Sequence, residues 1–168
     1  MPKVTLKKLN KIPTGTTRVS EWYDRIVTAL DKCVFCDLKP KYVIMEQAEV
    51  VLTVSLFPYT EGHLLIIPRR HIERLKELTG PEWLAVNALL LIGVDLIAKA
   101  LGVDDVNIIY REGGAASGKS LGHLHWHIMP MRRGFLTRTT DGIHYTFQNV
   151  AKTPIELAEL YRKYRPQK

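Results

Sequence analysis

Apolar residues recur at two periods along the chain, and the shorter period predicts strands. YVIMEQ (42–47) and VVLTVSLF (50–57) are rich in β-branched and apolar residues, and the polar pair AE separates them. These two stretches therefore predict a pair of strands. EGHLLIIP (61–68) predicts a third, which ends at Pro68 because proline cannot continue a central ladder. Two more strands are predicted in DVNIIYRE (105–112) and in the histidine-rich stretch 120–130.

The longer, helical period appears in three stretches. SEWYDRIVTALDK (20–32) predicts a first helix, and residues 82–101 predict a long one that is apolar nearly all round. A helix of that kind is buried on much of its surface, here in part against a second subunit, so we expect a homodimer. The stretch 153–164 opens with the capping-box pair Thr153 and Glu156, which indicates a terminal helix. The pattern as a whole predicts an α+β fold: an antiparallel sheet of about five strands, the long helix and a C-terminal helix.

Length and composition fit one globular domain. The chain has 168 residues, of which 46% are hydrophobic, and this is enough apolar material for a core. No run reaches the roughly 18 to 20 uninterrupted apolar residues of a membrane span. The start, MPKVTLKKLNK, has basic residues but no apolar segment behind them. We therefore expect a soluble cytoplasmic protein with no membrane association.

The net charge of +7 is concentrated at the two ends. Residues 1–20 carry five basic and no acidic side chains, and residues 161–168 carry four basic and none acidic. The remaining fifteen basic and seventeen acidic side chains leave residues 21–160 at −2. We expect a basic tail over 1–20 followed by a single domain over 21–168. Basic ends are typical both of nucleic-acid binding and of simple solubility.

Three histidines alternate with apolar residues in SLGHLHWHIMP (120–130). In a strand, His123, His125 and His127 share one face and the intervening residues pack on the other. Successive imidazoles then start roughly 7 Å apart, so neighbours can share a metal, whereas all three on one ion would require a strongly bent strand. Metal binding, nucleophilic attack and a solvated histidine face are the alternatives.

The two cysteines stand together in CVFC. Cys33 and Cys36 have no distant cysteine to pair with, so a metal or redox role is favoured over a structural disulfide. Two thiolates supply half of a tetrahedral zinc site, and histidines commonly supply the rest. No histidine lies at zinc-finger spacing, so such a site would be assembled by the tertiary fold. A redox pair and an unmetallated buried pair are the alternatives.

Four motifs resemble the histidine-triad (HIT) family of nucleotide hydrolases and transferases. HLHWHIM resembles the triad, GHLLIIPRRH the family's Gly-His segment, CVFC its cysteine pair and SGKSLGH its approach to the triad. They occur in family order over residues 33–130. SLFPYTEGHL further resembles the branch that contains diadenosine polyphosphate phosphorylases. The resemblance implies the HIT-like α+β fold.

The resemblance also implies roles for the triad. His125 matches the family nucleophile that attacks the α-phosphorus of a nucleotide, and a covalent nucleotidyl-histidine splits one difficult displacement into two easier ones. A neutral imidazole is mostly unprotonated at pH 7 and needs no strong base. His127 and Ser120 resemble the groups that contact the phosphate. Backbone N–H groups of the loop 113–120 are further donors, so the mechanism needs no catalytic magnesium.

The resemblance implies a structural zinc site made of Cys33, Cys36, His71 and His123, because all four positions would be filled by protein. His63 matches a histidine near the active centre, where hydrogen-bond support of the site and simple packing are the alternatives. His144 matches no motif.

Several positions depart from the family pattern. Lys119 stands where many members have glutamine and Arg111 stands near a common asparagine, so both bring positive charge toward the phosphates. This charge favours a longer polyphosphate substrate or a phosphate site without turnover. Ser55 stands near an Asp or Asn that binds ribose in relatives, which puts ribose contact there in doubt. Leu56 and Phe57 are candidates for the base pocket, with core packing as the alternative.

The resulting prediction is a nucleotide phosphohydrolase or nucleotidyl transferase that acts on adenylated compounds or dinucleoside polyphosphates. The alternatives are a nucleotide-binding regulator without turnover, a metallohydrolase with the histidine row as ligands, and a zinc-containing nucleic-acid-binding protein.

Overall fold

The fold is seen in a computed structural model, which describes residues 33–117, 119, 121–134, 136–140, 142–145 and 150–167. The tail 1–20 and the predicted helix 20–32 lie outside the described residues. The elements follow one another in the order β1 Val43–Gln47, β2 Val50–Val54, β3 Leu64–Pro68, α1 Gly80–Leu101, β4 Val106–Tyr110, β5 Trp126–Pro130, β6 Leu136–Thr139, β7 Gly142–Tyr145 and α2 Pro154–Tyr164.

The first five strands form one antiparallel sheet in the order β1-β2-β3-β5-β4. The α+β prediction is confirmed, with the five strands, the long helix and the C-terminal helix at the expected places. The sequence patterns did not predict the small hairpin of β6 and β7, which pairs only with itself in the described part of the chain.

The histidine-rich strand is shorter than predicted. β5 begins at Trp126, so His123 and His125 precede it. The reason lies at Leu124, whose N–H donates to the carbonyl of Ile72 at 2.6 Å instead of to a strand partner. The predicted alternation still separates the side chains, because Leu124, Trp126 and Ile128 belong to the hydrophobic core.

Helix α1 begins and ends at the expected signals. The Thr79 side chain accepts from the N–H of Glu82, and the Glu82 carboxylate accepts from the N–H of Thr79 at 2.8 Å, which completes a capping box. Gly102 ends the helix in the left-handed conformation, with φ of 63°. By length and composition alone α1 is apolar enough to cross a membrane, but Val86, Leu89, Leu96 and Ile97 are fully buried in the core.

A glycine lets α1 approach β5, the strand that contains His127. A Cβ built on Gly93 would lie 2.5 Å from Cδ1 of Ile128 in β5. That separation is far below van der Waals contact, so a larger residue at this helix position would force the Ile128 side chain or α1 to shift. Close packing between α1 and β5 therefore fixes the face of the sheet opposite the histidines.

Helix α2 closes the other end of the core. Thr153 and Glu156 form the predicted capping box, with Thr153 N–H to Glu156 Oε2 at 2.7 Å. Tyr161 is fully buried, and its hydroxyl donates to the carbonyl of Gly62 at 2.8 Å. Because Gly62 directly precedes His63, α2 anchors the segment that leads into β3.

Candidate metal centre and nucleotide site

The cysteine pair and two histidines converge on one point. The ligand atoms of Cys33, Cys36, His71 and His123 all lie within 4.8 Å of one another. Cys33 Sγ is 3.3 Å from His123 Nδ1, and Cys36 Sγ is 3.2 Å from His71 Nδ1. Ligands around a tetrahedral zinc ion stand about 3.5 Å apart, given metal–ligand distances of about 2.0 to 2.3 Å. The four residues are positioned to bind a metal, as predicted from the sequence.

The backbone fixes the ring of His123 in the state that a metal ligand requires. Its Nε2 lies 2.8 Å from the carbonyl oxygen of Pro68, which can only accept, so Nε2 carries the proton and Nδ1 presents its lone pair toward the thiols. Burial lowers the pKa of His123, and the nearby His71 and Lys119 lower it further against the Pro68 hydrogen bond. The imidazole is therefore held neutral.

The thiols are less buried than His123. Cys36 is exposed and Cys33 is half-buried. Desolvation raises the pKa of the Cys36 thiol, and the neighbouring Cys33 raises it further because two thiolates side by side repel each other. A cation between them reverses that repulsion, and this is the electrostatic setting in which a metal ion is bound as thiolates lose their protons.

The middle histidine belongs to a second arrangement. The Nδ1 of His125 lies 2.6 Å from the carbonyl oxygen of His123. Nδ1 must therefore donate, and in the neutral ring Nε2 is the unprotonated, nucleophilic nitrogen. His125 is 7% exposed, so the same hydrogen bond also orients a ring that has little room to turn. The structure thus gives His125 the tautomer that an attacking imidazole needs.

The third histidine receives its tautomer through a relay that starts at the backbone. The N–H of Tyr59 donates to Nδ1 of His63 at 3.2 Å, so the proton of neutral His63 is on Nε2. That Nε2 lies 2.9 Å from Nδ1 of His127 and donates to it. His127 consequently carries its own proton on Nε2, where it is a hydrogen-bond donor. His63 thus contacts the histidine row through a hydrogen bond to His127.

Strand pairing brings these residues together. β3 and β5 are neighbours, with Leu65 opposite His127, and His63 directly precedes β3. Ser55, 6% exposed, donates its backbone N–H to the carbonyl of His63 at 2.9 Å. Leu56 is partly buried and packs against the core. Ser55 therefore positions His63 through the main chain.

Two aromatic rings that the sequence analysis did not select lie against the histidines. The Phe35 ring centroid is 5.0 Å from that of His125 and 5.8 Å from that of His123, both edge-on. The Tyr59 ring is 5.5 Å from His63 and 5.9 Å from His127. Phe35 lies between the two cysteines of CVFC, and that position in the sequence could have identified it as a residue of the site. It joins the metal cluster to the ring of His125.

Lys119 contacts the main chain near the metal cluster. It is 8% exposed, and its ammonium donates to the carbonyl of Glu73 at 2.7 Å, on the segment that carries His71. The Glu73 carboxylate lies 3.9 Å from Nε2 of His71. Lys119 thus ties the loop before the triad to the metal cluster. Arg111 is half-buried, and Ser120 lies outside the described residues.

Comparison with known proteins agrees with this geometry. The HIT-domain family model matches residues 37–134, more than half of the chain. The chain belongs to the HIT family. A HIT-like protein of Methanocaldococcus jannaschii is 31% identical over 106 residues, which cover 61% of this chain and 81% of that protein. The adenylylsulfatase HINT3 of Arabidopsis thaliana is 30% identical over 141 residues, covering 82% and 71%.

Solved structures show the same fold. A zinc-bound histidine-triad family protein from Mycobacterium smegmatis superposes with a TM-score of 0.57 at 28% identity, covering 79% of this chain and 91% of that one. The diadenosine triphosphate hydrolase of Plasmodium falciparum superposes with a TM-score of 0.60 at 17% identity, covering 76% and 78%. At that identity the second likeness shows the fold alone.

Proposed function

We propose that the protein is a nucleotidyl hydrolase or transferase that works through a covalent nucleotidyl-His125. The observation that carries the proposal is the 2.6 Å hydrogen bond from Nδ1 of His125 to the carbonyl of His123, which leaves Nε2 as the unprotonated nitrogen. A nucleophilic imidazole must present an unprotonated nitrogen, and this hydrogen bond favours that tautomer at His125.

The reaction would proceed in two displacements. Nε2 of His125 attacks the α-phosphorus, a P–N bond forms, and the bond from phosphorus to the leaving oxygen breaks. The Nε2–H of His127, a residue that is 4% exposed, donates to the phosphate oxygens and stabilises their charge. Water or another acceptor then attacks phosphorus, the P–N bond breaks, and His125 is regenerated.

For the substrate we propose adenylated compounds or dinucleoside polyphosphates. Among the relatives, one is named an adenylylsulfatase and one structural neighbour is a diadenosine triphosphate hydrolase, so both kinds of leaving group occur on this fold. The test is a panel of adenylyl sulfate and diadenosine polyphosphates, each with and without inorganic phosphate. Products distinguish water from phosphate as the acceptor.

The covalent step is tested directly by intact-protein mass spectrometry after rapid quenching in mild base. We expect a mass increase of one nucleotidyl group in the wild type and none in His125→Ala. Lys99→Gln, a change at an exposed ion pair on α1, is the control and should keep both the adduct and turnover. Full turnover by His125→Ala would overturn the proposal, and binding without any product would favour a nucleotide-binding regulator.

We propose zinc as the metal and a structural role for it. Two thiolates and two neutral imidazoles are the donor set that zinc prefers, and four protein ligands fill a tetrahedral site. Zinc there would join the segment of Cys33 and Cys36 to the loops that carry His71 and His123. No step of the reaction above uses it, and no magnesium is required.

We also propose a homodimer through α1 and β4. Leu84 and Leu91 on α1 are 70% and 75% exposed, and Trp83 is 46% exposed. Ile108 on β4, the last strand of the sheet, is 47% exposed. A second copy would cover these apolar side chains. Sedimentation velocity tests this, and we expect Leu91→Glu to yield monomers while Glu159→Gln, at an exposed position on α2, leaves the dimer intact.

A further inference from the structure

A basic cleft lies at the β1 edge of the sheet, away from the histidines. Its volume is about 510 Å³, and it runs along β1, the first strand in the sheet order. Five of its lining side chains are charged, and four of those five are basic: Lys41, Arg69, Arg162, Arg165 and Glu46. Two strands, β2 and β3, separate β1 from β5, so the cleft is about 14 Å from the strand of His127.

Two of the arginines are held in place by neutral groups. Arg162 donates from Nε to the carbonyl of Val43 at 2.9 Å and from Nη2 to the carbonyl of Lys41 at 2.6 Å. Arg165 donates from Nη1 to the carbonyl of Ile44 at 2.8 Å. Carbonyl oxygens orient a guanidinium but do not neutralise it. Both guanidinium groups are therefore oriented, and among the described residues no carboxylate bonds to either of them.

The acidic side chain that lines the cleft, Glu46, already makes an ion pair. Glu46 accepts from Arg69 at 2.6 Å and 3.2 Å in a two-pronged ion pair. In the part of the chain that the structure describes, neither Arg162 nor Arg165 makes an ion pair with a carboxylate. Arg165 keeps the Nε and Nη2 edge of its guanidinium for a further acceptor, and that edge fits two oxygens of one phosphate.

Protection of an edge strand explains part of this arrangement. Arginines that cover exposed carbonyls of β1 prevent another strand from pairing there. Protection of the strand edge, however, requires only hydrogen-bond donors. It explains neither the excess of positive charge nor the open cleft beside those donors. The lining also includes the exposed Pro40 and the half-buried Met45, so apolar surface lies next to the cations.

We propose that this cleft binds the phosphate backbone of a short single-stranded nucleic acid, at a site separate from the nucleotide site of the histidines. Alternating phosphates and flat bases match cations that stand beside apolar surface, whereas an acidic peptide offers carboxylates without flat apolar faces. Tyr164, 44% exposed next to Arg165, adds an aromatic ring near this end of α2. The proposal thereby gives the basic residues near the C-terminus a binding role.

The test is fluorescence anisotropy with labelled oligonucleotides of about twelve nucleotides, of DNA and of RNA, over a range of salt. Excess AMP is included so that the histidine site is occupied. We expect Arg165→Gln, which keeps a donor for the Ile44 carbonyl but loses the charge, to weaken binding roughly tenfold. It should also lower the slope of log affinity against log salt by about 0.7, the value for one phosphate of a single strand.

Lys163→Gln is the matched control, because Lys163, in the last turn of α2, lies two residues before Arg165, carries the same charge and does not line the cleft. It should change binding less than about twofold, within the range of a screened surface charge. Lys41→Gln is a second cleft variant on a different segment and should behave like Arg165→Gln. Thermal melts confirm that each variant is folded.

Equal weakening by Lys163→Gln and Arg165→Gln would overturn the cleft and leave only diffuse charge. No salt-dependent binding by the wild type would overturn the proposal outright. A glutamate homopolymer that binds as tightly as the oligonucleotides would overturn its assignment to phosphates, and inorganic polyphosphate that binds when oligonucleotides do not would overturn its assignment to nucleic acid. Loss in both cleft variants with retention in Lys163→Gln supports it. Turnover at His125 is unaffected in every case.

Discussion

The first two histidines of the row, His123 and His125, have the same side chain but their rings are fixed in opposite ways. At His123 the backbone carbonyl of Pro68 takes the Nε2 proton, so Nδ1 points its lone pair at two thiols. At His125 the carbonyl of His123 takes the Nδ1 proton, so Nε2 is the unprotonated nitrogen. The comparison teaches that the carbonyl behind each ring, and which nitrogen it contacts, suits one imidazole to metal binding and the next to the attack proposed above.

The largest expected effect is on turnover, and it distinguishes His125 from the metal ligand position His123. His125→Ala should lower kcat/KM by roughly 10³-fold or more because it removes the proposed nucleophile. It should leave metal content and melting temperature near those of the wild type. Steady-state kinetics together with atomic absorption measure both quantities. Loss of metal in this variant would contradict the division of the row.

A substitution in the metal cluster should instead lower metal content and stability more than it affects the covalent step. Cys36→Ser should remove the metal and destabilise the fold by about 3 kcal/mol, since metal binding contributes to folding. For a chain of this size that lowers the melting temperature by roughly 6 to 12 °C.

The nucleotidyl adduct should still form in Cys36→Ser at low temperature, though more slowly, because Phe35 no longer holds the ring of His125. The measurements are metal content, calorimetry and adduct mass. A variant that melts like the wild type with no metal bound would show that the cluster is not a structural site.

A smaller effect tests the relay behind His127. His63→Ala removes the donor to Nδ1 of His127, so the ring can adopt either tautomer, and we expect about 10²-fold lower kcat. His63→Gln keeps an N–H donor at that place and should recover much of the loss. Equal loss in both variants would indicate that His63 acts by packing alone. Metal content should not change in either.

The smallest effect concerns acid stability on the metal side. Arg70, next to the metal ligand His71, binds Glu82 through two hydrogen bonds of 2.9 Å and 2.7 Å. The Arg70 hydrogen bonds lower the pKa of Glu82 from 4.5 to about 2, with help from Thr79 and against the effect of burial. Because the folded pKa is depressed, the stabilisation is fully present above about pH 4.5 and is lost as the pH falls toward 2.

Glu82→Gln should therefore cost about 1 kcal/mol at neutral pH and flatten the fall in stability between about pH 4.5 and 2. Glu156→Gln is the matched control, because Glu156 forms the same capping box with Thr153 but has no arginine partner among the described residues. It should change the acid profile less. Urea unfolding across pH measures both variants. Identical profiles would show that Arg70 adds nothing to the cap.

Local patterns predicted most of the elements. Two capping boxes, Gly102 and Pro68 mark where helices and a strand begin or end, and these signals act within four residues of sequence. The hairpin of β6 and β7 was missed because its strands pair only with each other in the described chain, so no strong apolar alternation marks them. The length of β5 was overestimated because the contact that ends it, Leu124 with Ile72, joins residues far apart in sequence.

The sequence by itself determined the residue types: a cysteine pair, three alternating histidines and the resemblance to the HIT family that the comparison confirmed. Only the tertiary structure decided what each imidazole can do. Tautomers depend on partners at Pro68, His123 and Tyr59, and the placement of Lys119 depends on Glu73, all set by loops that meet in space. A hydrogen bond requires atoms within about 3 Å, and spacing along a chain does not fix which distant carbonyl reaches that distance.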